Sequence, residues 1–159
     1  MTIELKPVTR NNWEEAIKLK VKESQREFVP SAAVSLAKVH IKPDGDAVEY
    51  IPFSIYDNDK MVGFIMHAYE PDTINMYWIN GFFIDQMYQG RGYGRAALAQ
   101  MISWIKTQFP KCGEIRLTVH KDNHHAKKLY KNFGFSPTGE IWGEEEVYNF
   151  SVKGVIYDS

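Results

Sequence analysis

Gly90, Gly92 and Gly94 punctuate the segment 82–95, FFIDQMYQGRGYGR, between an apolar run and a helix-forming one. Glycine lets backbone approach a ligand with no Cβ in the way, and it takes positive φ at little cost. A helix that starts directly after such a loop points its free N–H groups and positive dipole end into it, so the segment reads as a cradle for an anion. Arg91 and Arg95 add positive charge, and a diphosphate suits the arrangement. Two common nucleotide fingerprints fail on spacing: GxxxxGK[ST] is absent, and a GxGxxG begun at Gly90 would need glycine where Arg95 stands. The bland alternative is a glycine-rich turn with no ligand.

Such a loop works only if a strand delivers it and a helix follows. Residues 76–84 form a strongly apolar strand, and beyond the loop Leu98, Met101, Ile102, Ile105 and Phe109 recur at helical steps. This predicts an amphipathic helix over 95–109, ended by Pro110 and Gly113. Then come a strand (EIRLTVH, 114–120), a helix over 123–133 with Gly134 past its end, and two last strands at 136–142 and 145–152. Upstream, residues 3–7 read as a short strand, and Asn11 or Asn12 caps a helix WEEAIKLKV with Trp13, Ala16, Ile17 and Lys20 or Val21 on one side. Ser31 caps a shorter helix over 32–40, residues 41–49 form a loop, and 50–56 with 61–69 form a hairpin about Asp57-Asn58-Asp59-Lys60. The order βααβββαβαββ is an α/β (α+β) domain with a mixed sheet. A purely doubly wound parallel sheet does not accommodate the hairpin series.

Composition excludes more than it names. The chain has 159 residues, one cysteine, and 19 Lys+Arg against 20 Asp+Glu. That size suits one domain, 1–159, with 153–159 expected as a loosely ordered tail. A net charge of −1 gives no global attraction to nucleic acid or acidic membranes. No apolar run approaches the ~18 residues of a membrane span, and MTIELKPVTR lacks a signal peptide's apolar core. Cys112 alone can form no internal disulfide, and a reducing cytoplasm is the expected setting. His120, His124 and His125 cluster in sequence without carboxylates or cysteines at ligand spacing, so no metal is expected.

Gln89-x-x-Gly92-x-Gly94, after a strand and before a helix, resembles the acetyl-CoA motif of the GNAT superfamily of N-acetyltransferases. Asn123-x-x-Ala126-x-x-x-Tyr130-x-x-x-Gly134-Phe135 resembles the superfamily's second signature, in the same order and separation. The likeness covers essentially the whole chain, and the runs FFID-x-x-YQGRGYG and NHHAKKLYKNFGF look most like the spermine/spermidine acetyltransferase group. The resemblance implies a single domain whose mixed sheet is splayed at the cofactor strand and flanked by about four helices. It implies acetyl-CoA as co-substrate, with backbone of Phe82, Phe83 and Ile84 pairing the pantetheine arm. Splaying leaves peptide groups unpaired unless a ligand satisfies them. Backbone N–H groups of Gln89, Gly90, Arg91, Gly92, Tyr93, Gly94 and Arg95 would hold the pyrophosphate. Asn123 would cap its helix and touch the cofactor, and Lys131 would approach the phosphates.

The same resemblance gives Tyr130 the role of general acid. Attack of an amine on the thioester, directly within a ternary complex, expels a thiolate. A tyrosine O–H, with a pKa near ~10, still holds its proton at neutral pH and can donate to sulfur. Polyamine-acetylating relatives carry an acid on the cofactor strand just before the Phe-Phe pair, whereas this chain has Asn80 and Gly81. Asn80 can orient an amine but cannot take its proton. Asp85, Glu49, Asp44, Asp46 and the run Glu144-Glu145-Glu146 are substitutes among which sequence does not choose. A small amine, first of all a polyamine, is the expected partner, and a homodimer through the late strands, near Trp142 and Tyr148, is open. Transfer to a protein, peptide or antibiotic amine, or a non-catalytic acyl-CoA-binding module, are the alternatives.

Overall fold

The computed structural model describes residues 1–152, so the tail expected at 153–159 lies outside the described residues. The elements are β1 (Ile3–Pro7), α1 (Trp13–Ala16), α2 (Ala32–Ile41), β2 (Glu49–Asp57), β3 (Lys60–Tyr69), β4 (Tyr77–Ile84), α3 (Tyr93–Gln108), β5 (Glu114–His120), α4 (His124–Phe133), β6 (Ser136–Trp142) and β7 (Glu145–Ser151). One seven-stranded sheet has the order β1-β2-β3-β4-β5-β7-β6. Only the β4–β5 contact is parallel; its neighbours are antiparallel. The mixed sheet expected from the strand order is present.

Strand alternation sorts side chains to two faces. On one, Ala97, Leu98, Met101, Ile102 and Ile105 of α3 pack on Phe53, Ile55, Ile65, Tyr77, Ile79, Ile115 and Leu117. On the other, Ala16, Leu19 and Ala32 cover Tyr50, Phe64, Met66 and Phe83. Each face of the sheet thus has its own apolar cover, as a mixed α/β sheet requires.

The first helix departs from expectation, because α1 is a single turn rather than a run to Val21. The backbone that would have continued it is used elsewhere. The Lys20 N–H donates to Asp85 Oδ1 at 2.9 Å, and the Gln86 N–H donates to the Lys20 carbonyl at 2.8 Å. This segment therefore clips onto the end of β4 instead of winding. Helix α3 begins at Tyr93, two residues before the periodicity suggests, because Gly92 at φ +86° turns the chain straight into it.

Candidate functional site

Strands β4 and β5 share only two register pairs, Trp78↔Arg116 and Ile79↔Leu117, and then part. On its other edge β4 continues along β3, with Phe64↔Phe83 and Gly63↔Ile84 paired after a register shift. Gly81 lies in that shift at φ +60°, a left-handed value that glycine takes without strain. Beyond Ile79, then, the β5-facing edge of β4 has no strand partner, and Asn80, Phe82, Phe83 and Ile84 border the gap.

A cavity of about 890 Å³ fills this gap and reaches both faces of the sheet. On the α3/α4 side its wall includes Gln89, Gly90, Gly92, Tyr93, Gly94, Arg95, Asn123 and Tyr130. No side chain caps α3, so the N–H groups of its first turn are available to an anion in the glycine loop. A Cβ on Gly94 would stand 3.5 Å from Leu129, an ordinary van der Waals contact, so helix packing alone does not demand glycine there.

The side chains of the loop do different work from its backbone. The Gln89 amide donates to the Ile84 carbonyl at 3.0 Å and to Gln25 at 2.9 Å, pinning the loop to the end of β4. The Tyr93 hydroxyl donates to Asp57 Oδ2 at 2.6 Å, so its ring is drawn to the β2–β3 turn. That bond, with the Thr2 N–H, holds the Asp57 carboxyl below its usual range. Asn123 accepts the Ala126 N–H at 3.3 Å and so caps α4 while lining the cavity.

Not every expected cofactor residue reaches the wall. Arg91 is exposed and lies over the Tyr88 ring, 5.6 Å away, and Lys131 is exposed on the far side of α4. Arg95 does line the cavity, with its guanidinium over Phe133 at 5.3 Å. In place of Lys131 the wall carries His125, Lys128 and Asn132, which helical spacing through Leu129 sets on one face. The i, i+3, i+4, i+7 spacing of His125, Lys128, Leu129 and Asn132 is the sequence signal for that face.

Tyr130 is buried against Phe135, and among the described residues its hydroxyl has no hydrogen-bond partner. Burial first, and the charge of Glu145 second, push its pKa well above the ordinary tyrosine value. It is therefore a protonated donor facing the cavity at neutral pH.

On the α2 face the cavity wall holds Asp44, Glu70 and Glu145 together with Lys38, Trp78 and Trp142. Glu49 is exposed and pairs with Lys42 at 3.3 Å, away from the wall. Asp85 is committed to structure, accepting the Lys20 and Met87 N–H groups at 2.9 and 3.1 Å. Glu144 and Glu146 pair with Lys121 and Lys127 at 2.8 and 3.1 Å. The tryptophans, whose rings are 5.3 Å apart, come from strands far separated in sequence, so no local pattern marks them. Cys112 is buried and its thiol is pushed up to about 11, which leaves no thiolate at neutral pH. Among the described residues no group of three or more His, Cys, Asp or Glu is placed to hold a metal.

A splayed mixed sheet, a glycine loop at a helix N-terminus after the strand bordering the splay, and a tyrosine facing the gap are brought together at one cavity, the arrangement that the sequence resemblance implies for a GNAT N-acetyltransferase. The model of the acetyltransferase (GNAT) family matches residues 13–135, and the chain belongs to that family. It is 34% identical over 149 residues to a spermine/spermidine N(1)-acetyltransferase of Bacillus subtilis, covering 89% of this chain and 92% of that one. Among solved structures, the fold matches spermidine N-acetyltransferase from Vibrio cholerae in complex with CoA and spermine, with a TM-score of 0.72, 16% identity, and 97% and 98% of the two chains covered. It also matches the ribosomal-protein-S18-alanine N-acetyltransferase of Escherichia coli, with a TM-score of 0.69, 18% identity, and 95% and 94% covered. The fold alone thus does not separate a small amine from a protein N-terminus as acceptor.

Proposed function

We propose that the chain moves the acetyl group of acetyl-CoA to a primary amine of a small cation, a polyamine such as spermine or spermidine, by direct attack in a ternary complex. The observation that carries this reading is one cavity joining two unlike faces. The glycine loop and Tyr130 line it from the α3/α4 face of the sheet, and Asp44, Glu70 and Glu145 from the α2 face. The B. subtilis relative, named for spermine and spermidine, supports the same acceptor class.

The residues present suit acetyl-CoA. Free N–H groups at Gly92, Tyr93 and Gly94, with Arg95 and Lys128, suit its phosphates, and the open edge of Phe82, Phe83 and Ile84 offers peptide groups to its pantetheine amides. When bound, acetyl-CoA supplies the thioester that is the acetyl donor. Tyr130 holds its Oη–H where negative charge develops on sulfur and gives up the proton as the C–S bond parts. It regains a proton from the acceptor nitrogen, so no phenolate accumulates in a site that penalises charge. The α2-face carboxylates attract the cationic acceptor. The same reading keeps the enzyme in a reducing cytoplasm and takes edge strand β6, where Trp142 is exposed, as the surface for a homodimer, whereas Tyr148 is buried in the core and offers no surface.

The test is release of CoA thiol from acetyl-CoA across spermine, spermidine, N-terminal peptides and aminoglycosides. Turnover greatest on the polyamines is expected, with a loss of about a hundredfold in kcat for Tyr130→Phe at unchanged CoA affinity. Peptides or aminoglycosides outrunning polyamines would overturn the acceptor. Tight acetyl-CoA binding without turnover on any amine would make the chain a binding module.

A further inference from the structure

An alkylammonium must lose a proton before its nitrogen can attack, and neither Asn80 nor Gly81 on the open strand can take one. Most nearby carboxylates are otherwise engaged: Asp85 caps backbone, Glu49 is off the wall, and Glu144 and Glu146 pair with lysines. Of the three acids on the cavity wall, Asp44 accepts the Tyr50 hydroxyl and Glu70 lies past the end of β3. Glu145 differs from both in its place: it lines the cavity from the first residue of β7, opposite His120 at the end of β5, and Tyr130 lines the same cavity.

Backbone register explains how it gets there. Glu145 opens β7 opposite His120 of β5 and Trp142 of β6, so its side chain shares the α2 face with them. The Thr118 hydroxyl donates to its Oε1 at 3.3 Å, and among the described residues no hydrogen bond engages its other oxygen. Trp142 and Trp78 stand beside it on the same wall, giving aromatic faces to an alkylammonium. Across the cavity, Tyr130 is more than nine-tenths buried and, among the described residues, its hydroxyl has no partner, as a donor awaiting a ligand would be.

We propose that Glu145 receives the acceptor: its carboxylate pairs with the ammonium and takes one proton from it, opposite Tyr130. The proposal rests on the reading of this cavity as an acetyl-transfer site. As a step, the N–H bond breaks to Glu145, and the freed nitrogen pair forms the C–N bond as C–S breaks. Tyr130 protonates the departing sulfur and is reprotonated by the second nitrogen proton. Acetyl-CoA and R–NH3+ thus give the amide, CoA thiol and one proton, which Glu145 passes to water. Partial burial also raises Glu145 above the usual carboxylate range, which suits a group that must accept and release a proton.

The experiment compares wild type, Glu145→Gln and Glu144→Gln, with Tyr130→Phe as reference. Glutamine keeps the volume and the Thr118 bond. Glu145→Gln should bind spermine about tenfold more weakly by calorimetry without acetyl-CoA, and bind CoA as wild type does. It should lose about a hundredfold in kcat with spermine at pH 7, yet only a few-fold with an amine of low basicity that is already neutral at that pH. Glu144→Gln should match wild type throughout. Equal losses on the charged and neutral amines, or unchanged spermine affinity, would overturn the proton-accepting role. Wild-type kinetics in Glu145→Gln beside an impaired Tyr130→Phe would sink Glu145 while leaving the acetyl-transfer reading standing. No turnover by wild type on any amine would sink both.

Discussion

Two buried aromatic residues show how burial turns the same physics to different ends. Tyr130 is pushed up and stays protonated facing a cavity, which suits a donor. His67 is fully buried among Tyr69, Tyr77, Trp104 and Phe109, and burial lowers its pKa to about 4. Its Nδ1 lies 2.9 Å from the Trp78 carbonyl, which can only accept, so Nδ1 carries the hydrogen. Among the described residues Nε2 is buried without a partner, and protonating it would bury an unpaired N–H. As pH falls below the unfolded value near 6.5, the unfolded chain binds a proton that the folded one refuses until about 4. Stability from His67 is therefore full above pH ~6.5, declines through this window, and levels off below it, a change of about 3 kcal/mol in all. Urea unfolding of wild type and His67→Phe between pH 7 and 4 checks this, because the variant should show the shallower decline. Identical slopes would show that His67 does not titrate between the two states in that window.

At the scale of elements, the splay depends on how β4 is bent. A Cβ on Gly81 would lie 2.5 Å from Ser35 Oγ, and its φ of +60° is strained for any other residue. Gly81→Ala should thus cost about 2 kcal/mol and lower the melting temperature by several degrees, with Ser35→Gly restoring part of the loss. A melting curve equal to wild type would mean that the bend tolerates a side chain. Local pattern made most elements legible: residues 3–7, 114–120 and 136–142 were bounded correctly because alternation and turn residues agree there. What escaped depended on distant partners. The first helix stops after one turn because Lys20 bonds to Asp85 and Gln86, and nothing near Lys20 announces that. The open edge of β4 was legible only through resemblance, since an apolar run reads alike whether one edge is paired or not. Glu145 stood in a run of three acids, and only register separates it from neighbours that pair with lysines.

Over the whole molecule, the sheet acts as a partition with a gap. Helices α3 and α4 give one face a glycine loop at a helix N-terminus and the Tyr130 hydroxyl, while the other face presents acids and aromatic rings to the gap. A net charge of −1 is then an average over two faces of opposite preference, rather than a sign of indifference to charge. Cys112, buried and with its thiol raised to about 11, offers no nucleophile to carry an acetyl group between the two faces. On the proposed reading, donor and acceptor meet in the gap together. Initial rates with spermine and acetyl-CoA varied against one another test this most directly. The account predicts intersecting double-reciprocal lines, the signature of a ternary complex; parallel lines, which mark an acetylated enzyme intermediate, would contradict it.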